Sequence, residues 1–326
     1  MSKMKRNLLK LFMLMMVMCA SVLFNAKEAS AASKTTVEFI NVATKANTNG
    51  KYKGDATLIK YKDKYFLIDT GYGYAFGTSS DPLTKRLNSL VGNGGYLSGI
   101  IITHSHSDHY GALSKILDTS VVKKGSVKNG GTTIYYNDTY VETNLTKALT
   151  KARNKGIATQ SVKKGSVCNA YTGNTNTYAT ARSNNGLYIY GAAMDLISND
   201  AYGENQSSMV VQLKADKLKG IFLGDLQIKG MNAMKNKYGD NIMAVDYDIC
   251  KVGHHGLRTE NSELSGIDSE VKNFYMKFKA EDYIFTVHKD HVPKNYMHRH
   301  NYLKEAIIYY KLGNMHYISD NIKFEK

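Results

Sequence analysis

The sequence predicts a mixed α/β domain, and three observations predict it. Short runs rich in Val, Ile, Tyr and Phe alternate with runs whose apolar residues recur at helical spacing. The chain has 27 glycines and only two prolines, so its turns fall mostly to Gly, Asn and Asp. One hydrophobic strand, Gly99-Ile100-Ile101-Ile102, runs directly into Thr103-His104-Ser105-His106-Ser107-Asp108-His109-Tyr110-Gly111. That arrangement is typical of a strand that delivers side chains to a site.

Taken in order, strands are expected at 36–42, 55–61, 64–69, 99–103, 133–136, 187–190, 208–214, 219–224, 247–252, 283–287 and 315–319. Each is short and bounded by Gly, Asn or Asp. Helices are expected at 82–90, 111–117, 142–154, 229–238 and 301–311. The segment 143–154 carries apolar residues at helical spacing: Leu145, Ala148, Leu149 and Ala152 make one stripe. Leu303, Ala306, Ile307 and Tyr310 make another. The segment 169–185, rich in Asn, Thr and Ala, reads as an exposed loop near the mouth of a site. Val-Lys-Lys-Gly-Ser-Val occurs twice, at 122–127 and 162–167, and reads as two similar basic turns.

The 103–111 stretch carries the chemistry. Imidazole nitrogen and carboxylate oxygen are ligands for zinc or manganese. Residues two apart in an extended segment point the same way, so His104 and His106 face one ion. Asp108 and His109, past the bend, face a second. Surface histidines in a polar loop would have no reason to follow this spacing.

This motif resembles the signature of the metallo-β-lactamase-fold hydrolases. The similarity extends to Val37–Val42, to Gly54-Asp55-Ala56-Thr57-Leu58-Ile59, and to Phe66-Leu67-Ile68-Asp69-Thr70-Gly71. It also covers Ile221-Phe222-Leu223-Gly224-Asp225 and Lys251-Val252-Gly253-His254-His255-Gly256. Within the superfamily the wording is most similar to the C-terminal hydrolase domain of the competence protein ComEC and its secreted relatives. Glu204–Val211, the doubled histidine, and Met297-His298-Arg299-His300-Asn301 carry that likeness. The resemblance spans residues 36–324 and is loose from 117 to 190. It implies a four-layer αβ/βα sandwich in one domain, residues 32–326.

The resemblance also implies a dinuclear centre. His104 and His106 would bind the first ion, Asp108 and His109 the second, with Asp225 bridging them. A bridging carboxylate lowers the repulsion between ions about 3.5–4 Å apart. A late histidine would complete the second ion's ligands; His254, at the strand's end, is preferred, with His255 the alternative. No histidine lies between 110 and 253, where tight two-zinc members carry one; Glu204 and Asn205 stand there instead. An oxygen donor at that place favours manganese over zinc. Asp69 is expected to orient a ligand imidazole. Asp108 would also align a metal-activated hydroxide. Lys251, His298 or His300 would protonate or neutralise a leaving alkoxide. His288, His291 and His316 are assigned no role.

The ends and the charge bound the partners. Lys3, Lys5, Arg6 and Lys10 precede an apolar run from Leu11 to Phe24 and an Ala29-Ser30-Ala31 site. Residues 1–31 therefore read as a secretory signal peptide, too short and wrongly flanked for a stable span. Met18 stands where a lipid-anchored signal needs a small residue before Cys19. Removal of 1–31 leaves 295 residues and takes the charge from +15 to +11. Such an excess favours anionic partners: DNA, wall polymers or other phosphate-bearing substrates. Cys168 and Cys250 would remain; the second sits in an apolar strand as a buried thiol, and a bridge between them is left open.

The expected function is a secreted phosphodiesterase or nuclease acting on DNA with two Zn or Mn ions. The alternatives are an envelope phosphoester hydrolase acting on phosphorylcholine or teichoic acid, and a basic surface-binding protein with a structural metal. Structural zinc sites are closed and often sulfur-rich, whereas these ligands include no cysteine.

Overall fold

The computed structural model describes residues 34–193, 203–256, 267–288 and 313–326. The chain divides into Met1–Lys34 and Thr35–Lys326, and the elements below belong to the second unit. The segments 1–31 and 297–303, with the expected helix 301–311, lie outside the described residues, as do His291, His298 and His300.

Two mixed sheets form the centre. The first has seven strands: β1 (Thr36–Phe39), β2 (Thr57–Tyr61), β3 (Lys64–Ile68), β4 (Leu97–Ile102), β5 (Thr133–Asn137), β6 (Ala158–Val162) and, beyond β1, β15 (Ile322–Glu325). It is antiparallel from β15 through β3 and parallel from β3 through β6. The second has eight: β7 (Val167–Asn169), β8 (Asn174–Thr175), β9 (Gly186–Tyr190), β10 (Val210–Lys214), β11 (Lys219–Phe222), β12 (Tyr247–Lys251), β13 (Ala280–Phe285) and β14 (Asn314–Tyr317). Strands β11 to β14 run parallel. Parallel strands buried on both faces need continuous apolar runs, and Gly99–Ile102 supplies one; Tyr247–Lys251 is interrupted by Asp248 and ends in the ion-paired Lys251.

Three cores show the layering. One joins Phe39, Phe66 and Ile101 of the first sheet to Val211, Phe222 and Ile249 of the second. The outer face of the first sheet is covered by Leu83, Leu87 and Leu90 of the helix Pro82–Gly92 and by Leu145, Ala148 and Leu149 of Thr143–Asn154. The outer face of the second is covered by Met231, Met234 and Tyr238 of Ile228–Ile242 and by Phe274 and Tyr275 of Ile267–Phe278. Helix, sheet, sheet, helix is the four-layer αβ/βα sandwich expected above.

Several elements escape the periodicity argument. Strands β6, β7, β8 and β15 and the helix Ile267–Phe278 were not anticipated. The segment 169–185 is no plain loop: it holds β8 and the helix Tyr178–Ser183, and Ala170 and Ala181 are buried. Its small polar residues form a short hairpin and cap rather than a disordered arm. Both basic Val-Lys-Lys-Gly-Ser-Val copies are links between elements. Cys168 and Cys250 are separate buried thiols. Among the described residues no helix is long and apolar enough to cross a membrane.

Candidate metal centre

The site lies where β3, β4, β11 and β12 end. Strand β3 finishes at Ile68, and Asp69 follows in a left-handed conformation, φ 56°. That turn sends the Asp69 carboxylate back across β4. It accepts from Thr103 N and Thr103 Oγ1, both at 2.8 Å. Its Oδ2 lies 2.7 Å from His109 Nδ1. Strand β4 ends at Ile102; His104 follows in a bend and His106 in extended backbone, their ring centroids 4.8 Å apart. The helical turn Ser107–Tyr110 then brings in Asp108 and His109.

Asp225 arrives from the other sheet. Gly224 turns the chain with φ 54°, and a Cβ there would meet Thr103 Cβ at 3.0 Å and Ser208 Cβ at 3.1 Å. Only glycine lets this turn nestle between the two sheets. Asp225 Oδ1 is 3.1 Å from His109 Nε2, and Oδ2 is 3.8 Å from His104 Nε2 and 3.3 Å from His255 Nε2. His255 Nε2 is also 3.2 Å from Asp108 Oδ2, while Thr286 Oγ1 lies 2.9 Å from its Nδ1.

Among the described residues three groups of ligand atoms result, each within 4.8 Å: His104, His106 and Asp225; Asp108, His109, Asp225 and His255; and Asp55, Asp69 and His109, the last of which supports the His109 ring. Asp225 belongs to the first two. The cluster is buried, yet His104 Nε2, His109 Nε2 and both Asp225 oxygens have no hydrogen-bond partner. Buried polar atoms without partners are costly. Four of them converging, all of metal-ligand type, fit two divalent cations with a shared carboxylate.

His255 supplies the late ligand atom, which corrects the preference for His254. Both histidines adopt left-handed φ, 50° and 54°. Strand alternation stops at that point, so the strand-end argument fails. The His254 ring turns to Gln227, whose Nε2 is 3.0 Å from its Nδ1, and burial lowers its pKa to about 4.

Lys251 also needs correction. Its side chain is 3 % exposed and faces Asp55, with Nζ 3.6 Å from Asp225 Oδ1. Nζ donates to Gly224 O at 2.6 Å. Its contacts are to Asp55, Asp225 and Gly224 O within the protein, those of a buried counter-charge rather than of the leaving-group donor expected from the sequence. Glu204 is 22 % exposed and pairs with His106, Oε2 to Nε2 at 3.2 Å, without joining any ligand group. Asn205 is buried with its Oδ1 unpartnered.

Sequence reasoning missed two residues and undervalued a third. Lys53 Nζ is 3.0 Å from Asp108 Oδ2. Thr286 holds His255. Asp55, noted in the sequence only as part of the Gly54–Ile59 strand, meets Lys251, with His255 Nδ1 at 3.4 Å and His109 Nδ1 at 3.6 Å. The Lys53-Gly54-Asp55 wording was the available signal for the first and third. Thr286 gave none.

The charges explain one another. Burial opposes protonation of His255, but Asp225 and Asp55 overcome it and raise the pKa to about 9. His109 is raised well above the usual imidazole value against its burial, chiefly by Asp225 and Asp69. Burial, reinforced by His109, pushes His104 well below it. Asp108 and Asp225 are held well below the carboxylate range despite burial, the first by Lys53 and the second by His109 and His255. Burial raises Asp69. Asp108 and Asp225 are thus charged at neutral pH and need cations, whether protons on imidazoles or metal ions.

Comparison with known proteins agrees with this geometry. Residues 49–168 match the sequence model of the metallo-beta-lactamase superfamily. Among solved structures, the metallo-beta-lactamase fold protein YhfI from Bacillus subtilis is similar: 12% identity, 89% of this chain and 99% of that chain, TM-score 0.50. Tm1679, a metal-dependent hydrolase of the beta-lactamase superfamily, is also similar: 11% identity, 90% of this chain and 99% of that chain, TM-score 0.51. No curated protein matches. The chain has the metallo-beta-lactamase fold, and residues 49–168 carry that superfamily's domain signature.

Proposed function

We propose that this chain is a metal-dependent hydrolase of the beta-lactamase superfamily that cleaves a phosphodiester, DNA being the first candidate. One observation carries the reading: the unpartnered nitrogens of His104 and His109 converge on both unpartnered oxygens of Asp225 in a buried, sulfur-free cluster. His104, His106 and Asp225 would hold one cation; Asp108, His109, Asp225 and His255 would hold the other. When bound, such a pair supplies Lewis acidity that acidifies water and polarises a substrate oxygen.

The chain's own residues do the rest. Asp69 accepts at His109 Nδ1 and leaves Nε2 as the ligand atom. Thr286 does the same work at His255 Nδ1. Lys251 and Asp55 hold Asp225 from beneath. Asp108, buried beside the part-exposed Lys53, is the carboxylate that would orient a nucleophile. The net charge of +11 that remains without residues 1–31 favours polyanionic substrates. We take residues 1–31 as a leader removed on export, a reading supported by their basic start and apolar run. His298 and His300 remain proposed contributors to leaving-group protonation.

The test is a screen of purified protein against DNA, RNA, nucleotides, phosphorylcholine esters and a β-lactam, with Mn²⁺, with Zn²⁺ and with chelator. Metal-dependent cleavage of DNA is expected, abolished in His104→Ala/Asp108→Ala. Full turnover by that double variant, or one inert and non-exchangeable zinc per chain, refutes the proposal. Turnover confined to phosphorylcholine or wall polymers moves the substrate to the envelope.

A further inference from the structure

We infer that Lys53, together with the Lys51–Tyr72–Tyr74 stack beside it, forms a subsite for a phosphoester that carries a planar ring, Lys53 positioning an anionic oxygen. The inference rests on the hydrolase reading above and specifies its substrate.

Among the described residues, two lysines pair with carboxylates of the cluster, Lys53 with Asp108 and Lys251 with Asp55 and Asp225. Lys251 is sealed beneath it. Lys53 has 25 % of its side chain open to solvent while its Nζ lies 3.0 Å from Asp108 Oδ2. It is a cation that spans from the mouth to a candidate metal ligand. Its backbone is pinned by a bridge to Val287. Gly54 N donates to Thr286 O at 3.3 Å, and Asp55 N donates to Asp108 O at 3.2 Å. The segment is thereby stitched to both the loop that carries Asp108 and the strand end that holds His255. Lys53 therefore neutralises the buried Asp108 on one side and keeps part of its own side chain open to solvent, where an incoming anion can meet it.

The neighbouring surface is aromatic. Lys51 Nζ sits 4.9 Å over the Tyr72 ring. Tyr72 stacks on Tyr74 with centroids 5.6 Å apart and planes at 28°. Tyr72 is 8 % exposed and Tyr74 54 %, the largest exposure of any large hydrophobic residue among those described. The stack is tied to the cluster through the backbone: Gly71 N, next to Tyr72, donates to Asp55 O at 2.8 Å, and Gly71 O accepts from Ala112 N at 3.2 Å. A ring supported from behind and open in front is what a planar group stacks on. An ammonium fixed beside it takes the phosphoryl oxygen as a charge-assisted bond. Lys53 is a positioning residue for the substrate anion, and Tyr74 selects for the ring.

The test titrates inorganic phosphate, adenosine and AMP into Mn²⁺-loaded protein by calorimetry, for the wild type, Lys53→Met, Lys53→Arg and Tyr74→Ala. AMP should bind at least about tenfold tighter than either half alone. Lys53→Met should weaken phosphate and AMP by about tenfold and leave adenosine unchanged, and Lys53→Arg should restore most of the loss. Tyr74→Ala should weaken AMP by about tenfold and spare phosphate. Circular dichroism checks that each variant is folded. Wild-type affinity for AMP in either Lys53→Met or Tyr74→Ala overturns the subsite. If the wild type cleaves phosphoesters and these variants keep its KM, the subsite fails and the hydrolase reading stands. If binding follows the expected ratios but no phosphoester is cleaved, the subsite stands and the hydrolase reading fails.

Discussion

Replacing Lys251 by Met separates a supporting cation from a catalytic one. The Lys251 ammonium contacts Asp55, Gly224 O and Asp225 with only 3 % of the side chain exposed. Burial lowers its affinity for a proton, and Asp55 and Asp225 more than compensate, so it stays charged. Methionine fills much the same volume and removes the charge, leaving two carboxylates uncompensated. Removing one partner of a buried pair costs about 3–5 kcal/mol. For a domain of this size that lowers Tm by roughly 6–20 °C. Differential scanning calorimetry on chelated protein should show this loss, and Mn²⁺ should recover part of it by replacing the missing positive charge. Turnover at saturating metal should fall without a dependence on leaving-group basicity. A loss below about 1 kcal/mol, paired with a turnover defect that grows with leaving-group pKa, would show that Lys251 is a proton donor and that the geometry has been misread.

Three further outcomes are expected. In metal-free protein the folded chain keeps protons on His109 and His255 that the unfolded chain releases near pH 6.5. The stability they confer is full below pH 6.5 and is lost as pH rises toward the folded value of about 9 for His255, a loss on the order of 3 kcal/mol. Urea unfolding of chelated protein at pH 6.5 and pH 9 measures it; a flat profile contradicts the assignment, and calorimetric metal uptake at pH 7 should release protons. His255→Ala should reduce bound metal from two ions to one by elemental analysis, whereas His254→Ala should retain both; equal stoichiometry in the two variants would reinstate the strand-end argument. Asp69→Asn should weaken metal affinity by roughly 10–100-fold through loss of the acceptor at His109 Nδ1; competition with a chromophoric chelator reads it, and an unchanged affinity would remove Asp69 from the site.

The legible part of the molecule was local. His104, His106, Asp108 and His109 sit within six positions, and their geometry follows from a bend after β4 running into one helical turn. Strand β4 announced itself because burial on both faces demands an unbroken apolar run, which Gly99–Ile102 supplies. Asp69 was readable from the turn after β3. Less legible were elements whose stability is borrowed. Strand β15 is four residues that pair with β1 across almost the whole chain, and the helix Ile267–Phe278 is built on aromatic residues that also suit strands.

Tertiary structure alone decided which of two adjacent histidines enters the cluster, because two left-handed residues break the alternation from which a prediction would start. It turned Lys251 from a candidate acid into a buried counter-charge, and it brought Lys53 to Asp108 from 55 positions away. The physical reason is the same in each case. Sequence spacing governs which way neighbouring side chains point. Contacts between distant segments depend on how the two sheets close over their shared core and on which buried charges then need partners.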